Sequence, residues 1–147
     1  REGALRRYVQ GRFDRLYPEF ARTRVLYAES FPRDIYRCLQ DGYLLGSALD
    51  VSRIRDPNQR YEETTLFGER RYFPTGPLRI ALRCRSPVLQ AFIIPEPGFR
   101  YRLEVVGMLL DPDSVADEAA SVRTAIVTYA AEVEKRTRAM PSLITRV

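Results

Sequence analysis

Thr65-Leu66-Phe67-Gly68-Glu69-Arg70-Arg71-Tyr72-Phe73-Pro74-Thr75-Gly76-Pro77-Leu78-Arg79-Ile80-Ala81-Leu82, with Ser86-Pro87-Val88 just beyond, is the stretch on which the fold turns. It reads as a strand, a basic turn through Arg70 and Arg71, and a helix opened by Gly76 and Pro77. A helix start carries backbone N–H groups with no partner inside the helix, and here arginines stand next to them. Arg70, Arg71, Thr75 and Gly76 are therefore the candidate anion cradle: two guanidinium forks, one hydroxyl and the amides that follow Gly76.

Outward from that stretch the pattern alternates helix and strand. Leu5, Tyr8, Val9, Phe13 and Leu16 recur at helical spacing over 4–17, with arginines between them, and Pro18 ends the run. Arg24 to Ala28 is a short β-rich run, Pro32 to Gln40 a helix, Asp41-Gly42 its stop, and Tyr43 to Leu49 a continuous apolar strand. That succession predicts a β-α-β unit with a parallel pair buried on both faces. Asp50 to Tyr61 is polar, lacks periodicity and reads as a loop at the carboxyl end of a parallel strand, where open α/β sheets place ligands. Glu63 to Phe67 is the next strand, Pro77 to Arg83 a helix, and Pro87 to Ile94 an apolar strand. Pro95-Glu96-Pro97-Gly98 turns the chain into Arg100 to Val106, whose alternation fits a half-exposed antiparallel strand. A long helix over 114–138 carries Val115, Ala119, Val122, Ile126, Tyr129 and Val133 on one face, and Pro141 closes it. The expected fold class is α/β: one domain over 1–147 with a mixed, mostly parallel sheet flanked by helices.

Composition narrows the chemistry. The 147 residues are 45 % hydrophobic and 29 % charged, enough for one domain with a core. The net charge is +5, and of 24 basic residues only Lys135 is a lysine. Arginine grips phosphate or carboxylate with a planar fork, so an anionic partner is one reading of that preference; a codon bias is the other. There is no histidine, so a mechanism that needs an imidazole base cannot be completed by this polypeptide alone. Cys38 and Cys84 are too isolated for a metal site and read as small buried residues. No cofactor, metal or catalytic residue is expected. No apolar run approaches the roughly 20 residues of a membrane-spanning helix. The aromatic residues fall at core spacing instead of interleaving with arginine, which argues against nucleic-acid binding.

Phe67-Gly68, five residues, Pro74, one residue, Gly76-Pro77, a helix with Ala81-Leu82 and the strand entry Ser86-Pro87-Val88 resemble the later part of the bacterial lipid A biosynthesis acyltransferases. They likewise resemble the phosphatidylinositol mannoside acyltransferases, members of the lysophospholipid acyltransferase superfamily. The resemblance runs upstream through Arg37-Cys38-Leu39-Gln40-Asp41-Gly42 and Asp50. The Pro-Glu-Gln-Trp usual after the family's last helix is reduced here to Pro141. The resemblance implies a lysophospholipid-acyltransferase-like fold peripheral to a membrane, on its cytoplasmic or matrix face. Its reaction moves an acyl chain from an acyl carrier protein or coenzyme A thioester to a glycolipid hydroxyl.

That family's base, a histidine with a carboxylate five positions later, lies ahead of the matched region, and the chain starts at Arg1 instead of a methionine. The expectation is thus a piece lacking the N-terminal catalytic segment, or a relative without catalysis. Its contribution would be the anion-binding half: Arg70, Arg71, Thr75 and Gly76, with Arg33 and Arg37 one turn apart on a helix toward the same cleft and Asp50 at a strand end. The leading functional expectation is a non-catalytic, structural or lipid- and anion-binding subunit of a larger membrane-associated assembly. Its partners would be proteins and a membrane glycolipid or phospholipid. The alternative is the C-terminal part of such an acyltransferase.

Overall fold

Glu69-Arg70-Arg71, expected as a basic turn, is the start of a strand, and that change reorganises the sheet. In the computed structural model, which describes residues 3–4, 7–8, 11–12, 15, 32–47, 49, 59–98 and 100–141, strand β1 (Tyr61–Leu66) pairs antiparallel with β2 (Glu69–Pro74). Leu66 lies opposite Glu69, so Phe67 and Gly68 alone make the connection, with φ of 54° and 79°. Two successive positive φ values are the geometry of the tight hairpin turn that matches strand twist. Alternation along β2 buries Arg71 and Phe73 and turns Arg70 outward.

The chain divides into two compact units, Arg1–Arg37 and Cys38–Val147. In the first, residues 3–4, 7–8, 11–12 and 15 are helical, and each is exposed. The division falls within helix α1 (Pro32–Gln40), which ends as the sequence predicts. Gly42 takes φ 78°, its N–H bonds to the Leu39 carbonyl, and the Tyr43 N–H reaches back to Cys38. This pair of bonds satisfies two helix-end carbonyls through a left-handed residue that glycine adopts without cost.

In the second unit, α2 (Gly76–Arg83) has Pro77 in its first turn and buries Leu78 and Ala81. Strand β3 (Val88–Glu96) pairs antiparallel with β4 (Arg100–Leu110), with irregularities beside Leu109 and Val106. Helix α3 (Glu118–Ala139) is capped by Asp117, whose side chain accepts from the Ala119 and Ala120 N–H groups. Its buried residues, Val122, Ala125, Ile126, Ala130 and Val133, follow helical spacing. They meet Leu66 and Phe73 of the first hairpin, Leu78 of α2 and Leu110 of β4 in one core. Arg79 to Glu118 at 2.7 Å joins α2 to α3, and Arg123 to Glu62 at 2.6 Å joins α3 to β1.

The parallel sheet expected from the alternation of helices and strands, and the lysophospholipid-acyltransferase-like fold that goes with it, is corrected. Among the described residues every strand pair is antiparallel, in two separate two-stranded sheets packed on a helix. Tyr43 to Leu49 is one strand of the parallel pair in the expected β-α-β unit; residues 43–47 and 49 form no strand, and Leu44 is 94 % exposed. A continuous apolar run suits a buried strand only where neighbouring strands pair with it and other elements cover both faces of the sheet, and among the described residues no strand pairs with this run. The run at Arg24 to Ala28 and most of the loop from Asp50 lie outside the described residues. Among the described residues no helix is long and apolar enough to cross a membrane.

Candidate functional site

The sequence-derived site residues fall in both units. Arg33 and Arg37 stand one turn apart on α1, both exposed, and belong to the first unit; Arg70, Arg71, Thr75 and Gly76 belong to the second. Asp50 lies outside the described residues. Arg70 and Arg71 are consecutive in a strand, so their side chains leave on opposite faces. Arg70 pairs with Glu63 on the neighbouring strand at 3.0 Å. Arg71 is 4 % exposed and donates to the Glu69 carboxylate at 2.5 Å and to the Arg70 carbonyl at 3.0 Å. The buried Thr75 hydroxyl donates to the Arg60 carbonyl at 3.2 Å, and its backbone N–H bonds to the same oxygen at 3.0 Å. Thr75 therefore fastens the start of α2 to the chain entering β1. The first turn of α2 contains no acidic residue, and Pro77 supplies no N–H there.

A second site, which the sequence reading did not single out, lies on the β3–β4 hairpin. Directly opposed residues of an antiparallel pair share a face, and the register places Leu89 opposite Met108, Ala91 opposite Val105, Ile93 opposite Leu103 and Pro95 opposite Tyr101. All eight are uncharged and all eight point away from the core. The six largest, Leu89, Ile93, Tyr101, Leu103, Val105 and Met108, are between 51 % and 69 % exposed. Single exposed apolar residues are ordinary, but a contiguous row of eight is not.

The opposite face of the same hairpin packs on the core and α3: it buries Ile94, Leu110 and Gln90, and it also carries the charged groups. Gln90 is buried and donates to the Tyr129 carbonyl at 3.3 Å. Arg136 of α3 reaches Glu104 at 2.6 Å and Glu132 at 2.8 Å, with its guanidinium carbon 4.8 Å from the centre of the Phe92 ring. Arg102 bridges Glu96 at 3.0 Å and Glu104 at 2.8 Å. The hydrogen bond from Arg136, seconded by that from Arg102, holds the Glu104 carboxyl below the usual carboxylate range. Glu132 is lowered too, chiefly by its bond from Arg136.

The alternation over Arg100 to Val106 was the available signal, and it identified the strand. What it could not give was the direction, since an apolar set at period two is ordinarily read as facing the core. Beside β4 a shallow groove of about 500 Å³ runs along α3 past Gly107, Leu109, Val127 and Ala131, with Glu132 and Lys135 at its margin, paired at 3.3 Å. Among the described residues no group of three or more cysteine or carboxylate side chains is placed to hold a metal ion. Compared with protein-family models, curated proteins and solved structures, the chain matches none of them.

Proposed function

We propose that this chain is a non-catalytic interaction subunit that works by covering the outer face of its β3–β4 hairpin against another polypeptide. The observation that carries the reading is the apolar outer face of the hairpin, set behind an inner face that already buries Ile94 and Leu110. Glu104 bonds Arg136 of α3, and Arg102 pairs with Glu96 and Glu104 on its own hairpin, while Tyr101, Leu103 and Val105 turn outward. A strand left permanently bare would be more stable with these two sets exchanged, since apolar burial stabilises by roughly 25 cal/mol for each Å² removed from water. The arrangement makes energetic sense when the outer face is covered.

Two features support docking over chemistry. The chain lacks the histidine that most acid–base mechanisms of acyl transfer use. Arg70 and Arg71 diverge across a strand, and Arg71 and Thr75 already have partners within the chain.

The test is the state of the protein isolated under native conditions from its source. The chain is expected to migrate within an assembly of more than one polypeptide, and the pair of substitutions Ile93→Glu and Leu103→Glu is expected to release it. Parent and variant migrating alike at the mass of the chain alone would overturn the reading.

A further inference from the structure

We infer that the polypeptide covering the outer face is a second copy of this chain, the two hairpins stacking face to face about a two-fold axis; this rests on the docking role proposed above. Three properties of the face point to a self-complementary occupant. The first is charge. The hairpin's ionic groups, Glu96, Arg100, Arg102 and Glu104, fall outside the row of eight: Arg102, Glu96 and Glu104 are bonded among themselves or to Arg136, Arg100 donates to the Pro97 carbonyl at 3.4 Å, and none of the eight outward residues is charged. Nothing on the face would steer an acidic partner, a basic partner or an anionic lipid headgroup, whereas two identical faces meet with no like-charge contact to overcome.

The second property is area. Each of the six largest side chains leaves on the order of 100 Å² bare, so with Ala91 and Pro95 the face offers roughly 700 Å². Two such faces together bury about 1,400 Å², within the range of a standard specific interface. The third is relief. Ala91 leaves a notch between the Leu89–Met108 row and the Ile93–Leu103 row. A two-fold axis through the middle of the ladder lets Ile93 or Leu103 of one copy fill the notch of the other, as side chains do between sheets packed about 10 Å apart. An isologous contact of this kind closes on itself and leaves no further surface to propagate.

The experiment is sedimentation equilibrium of the purified chain, Arg1 to Val147, over a concentration range of about 1 to 100 μM. A species at twice the 17.0 kDa chain mass is expected. Ile93→Glu with Leu103→Glu is expected to weaken association by at least roughly 100-fold, because two carboxylates would be buried without partners. Leu103→Thr, which suits a strand and adds no charge, keeps the test valid if the acidic pair perturbs folding, and circular dichroism verifies each variant. A monomer throughout the range overturns the inference, as does a dimer that neither variant weakens. A chain that is monomeric alone but assembled in its source overturns only the second copy and leaves the docking role standing.

Discussion

Arg71 is 4 % exposed, and a guanidinium held that far from water needs its hydrogen bonds answered by neighbours. Here the Glu69 carboxylate and the Arg70 carbonyl answer it, but the Glu69 side chain is itself 62 % exposed, so the pair straddles the surface and solvent screens much of its attraction. The aliphatic stem, on the same strand face as Phe73, is the larger contributor. Arg71→Met, which keeps the stem and removes the charge, is expected to stay within about 1 kcal/mol of the parent in urea unfolding. Arg71→Ala, which removes both, should lose about 2 kcal/mol. If the methionine variant falls as far as the alanine one, the guanidinium bonds dominate and the stem is secondary. The burial of this arginine was not legible in the sequence: Glu69-Arg70-Arg71 reads as solvated charge, and only the register of β2 reveals that alternate members point inward.

At the scale of elements, the β1–β2 hairpin depends on its two-residue turn. Gly68 has φ 79° and nothing within 4 Å of where a Cβ would stand, so a side chain there would meet only its own backbone strain. Gly68→Ala is expected to cost about 1 kcal/mol of unfolding free energy, and Gly68→Asn less, since asparagine tolerates the left-handed region. Equal stability of all three chains would show that the turn relaxes to another geometry.

The same turn explains what the sequence hid. Phe67-Gly68 lacks the Asn-Gly or Asp-Gly signature of a tight hairpin, and Phe67 itself sits at φ 54°, which its residue type does not advertise. Elements marked by strong punctuation were legible: α1 through Pro32 and Gly42, α2 through Gly76-Pro77, the β3–β4 hairpin through Pro95-Glu96-Pro97-Gly98, of which Pro95 and Glu96 continue β3, and α3 through its apolar spacing. Pairing direction was not, because strand and helix alternate in antiparallel arrangements as readily as in parallel ones when each hairpin packs separately on a helix. The candidate site was missed for a related reason, since its residues become a surface only when the register sets four apolar pairs side by side.

For the molecule as a whole, α3 is the element to which both hairpins of the second unit attach, and Arg136 is the main polar fastening of the hairpin that carries the docking face. It joins Glu104 of β4 to Glu132 of its own helix over the ring of Phe92. Both carboxyls are held below their ordinary value by bonds from this guanidinium. A carboxyl lowered in the fold stabilises it at pH values above the unfolded chain's pKa, and that stability is lost as pH falls through the folded value. Stability should therefore be level from neutrality down to about pH 5 and decline below it, more gently in high salt because these groups are near solvent. Arg136→Met keeps contact with Phe92 and removes the largest cause of the lowering at both carboxyls, leaving Arg102 on Glu104 and Lys135 on Glu132. It is expected to flatten the acid limb measured by urea unfolding at a series of pH values, and to raise amide exchange across β3–β4 while β1–β2 stays protected. An unchanged acid limb in the variant would show that the bonds from Arg136 to Glu104 and Glu132 do not set the pH dependence. Loss of protection in both hairpins at once would show that α3 and the two sheets open as a single cooperative unit, with Arg136 fastening the core and the docking hairpin together.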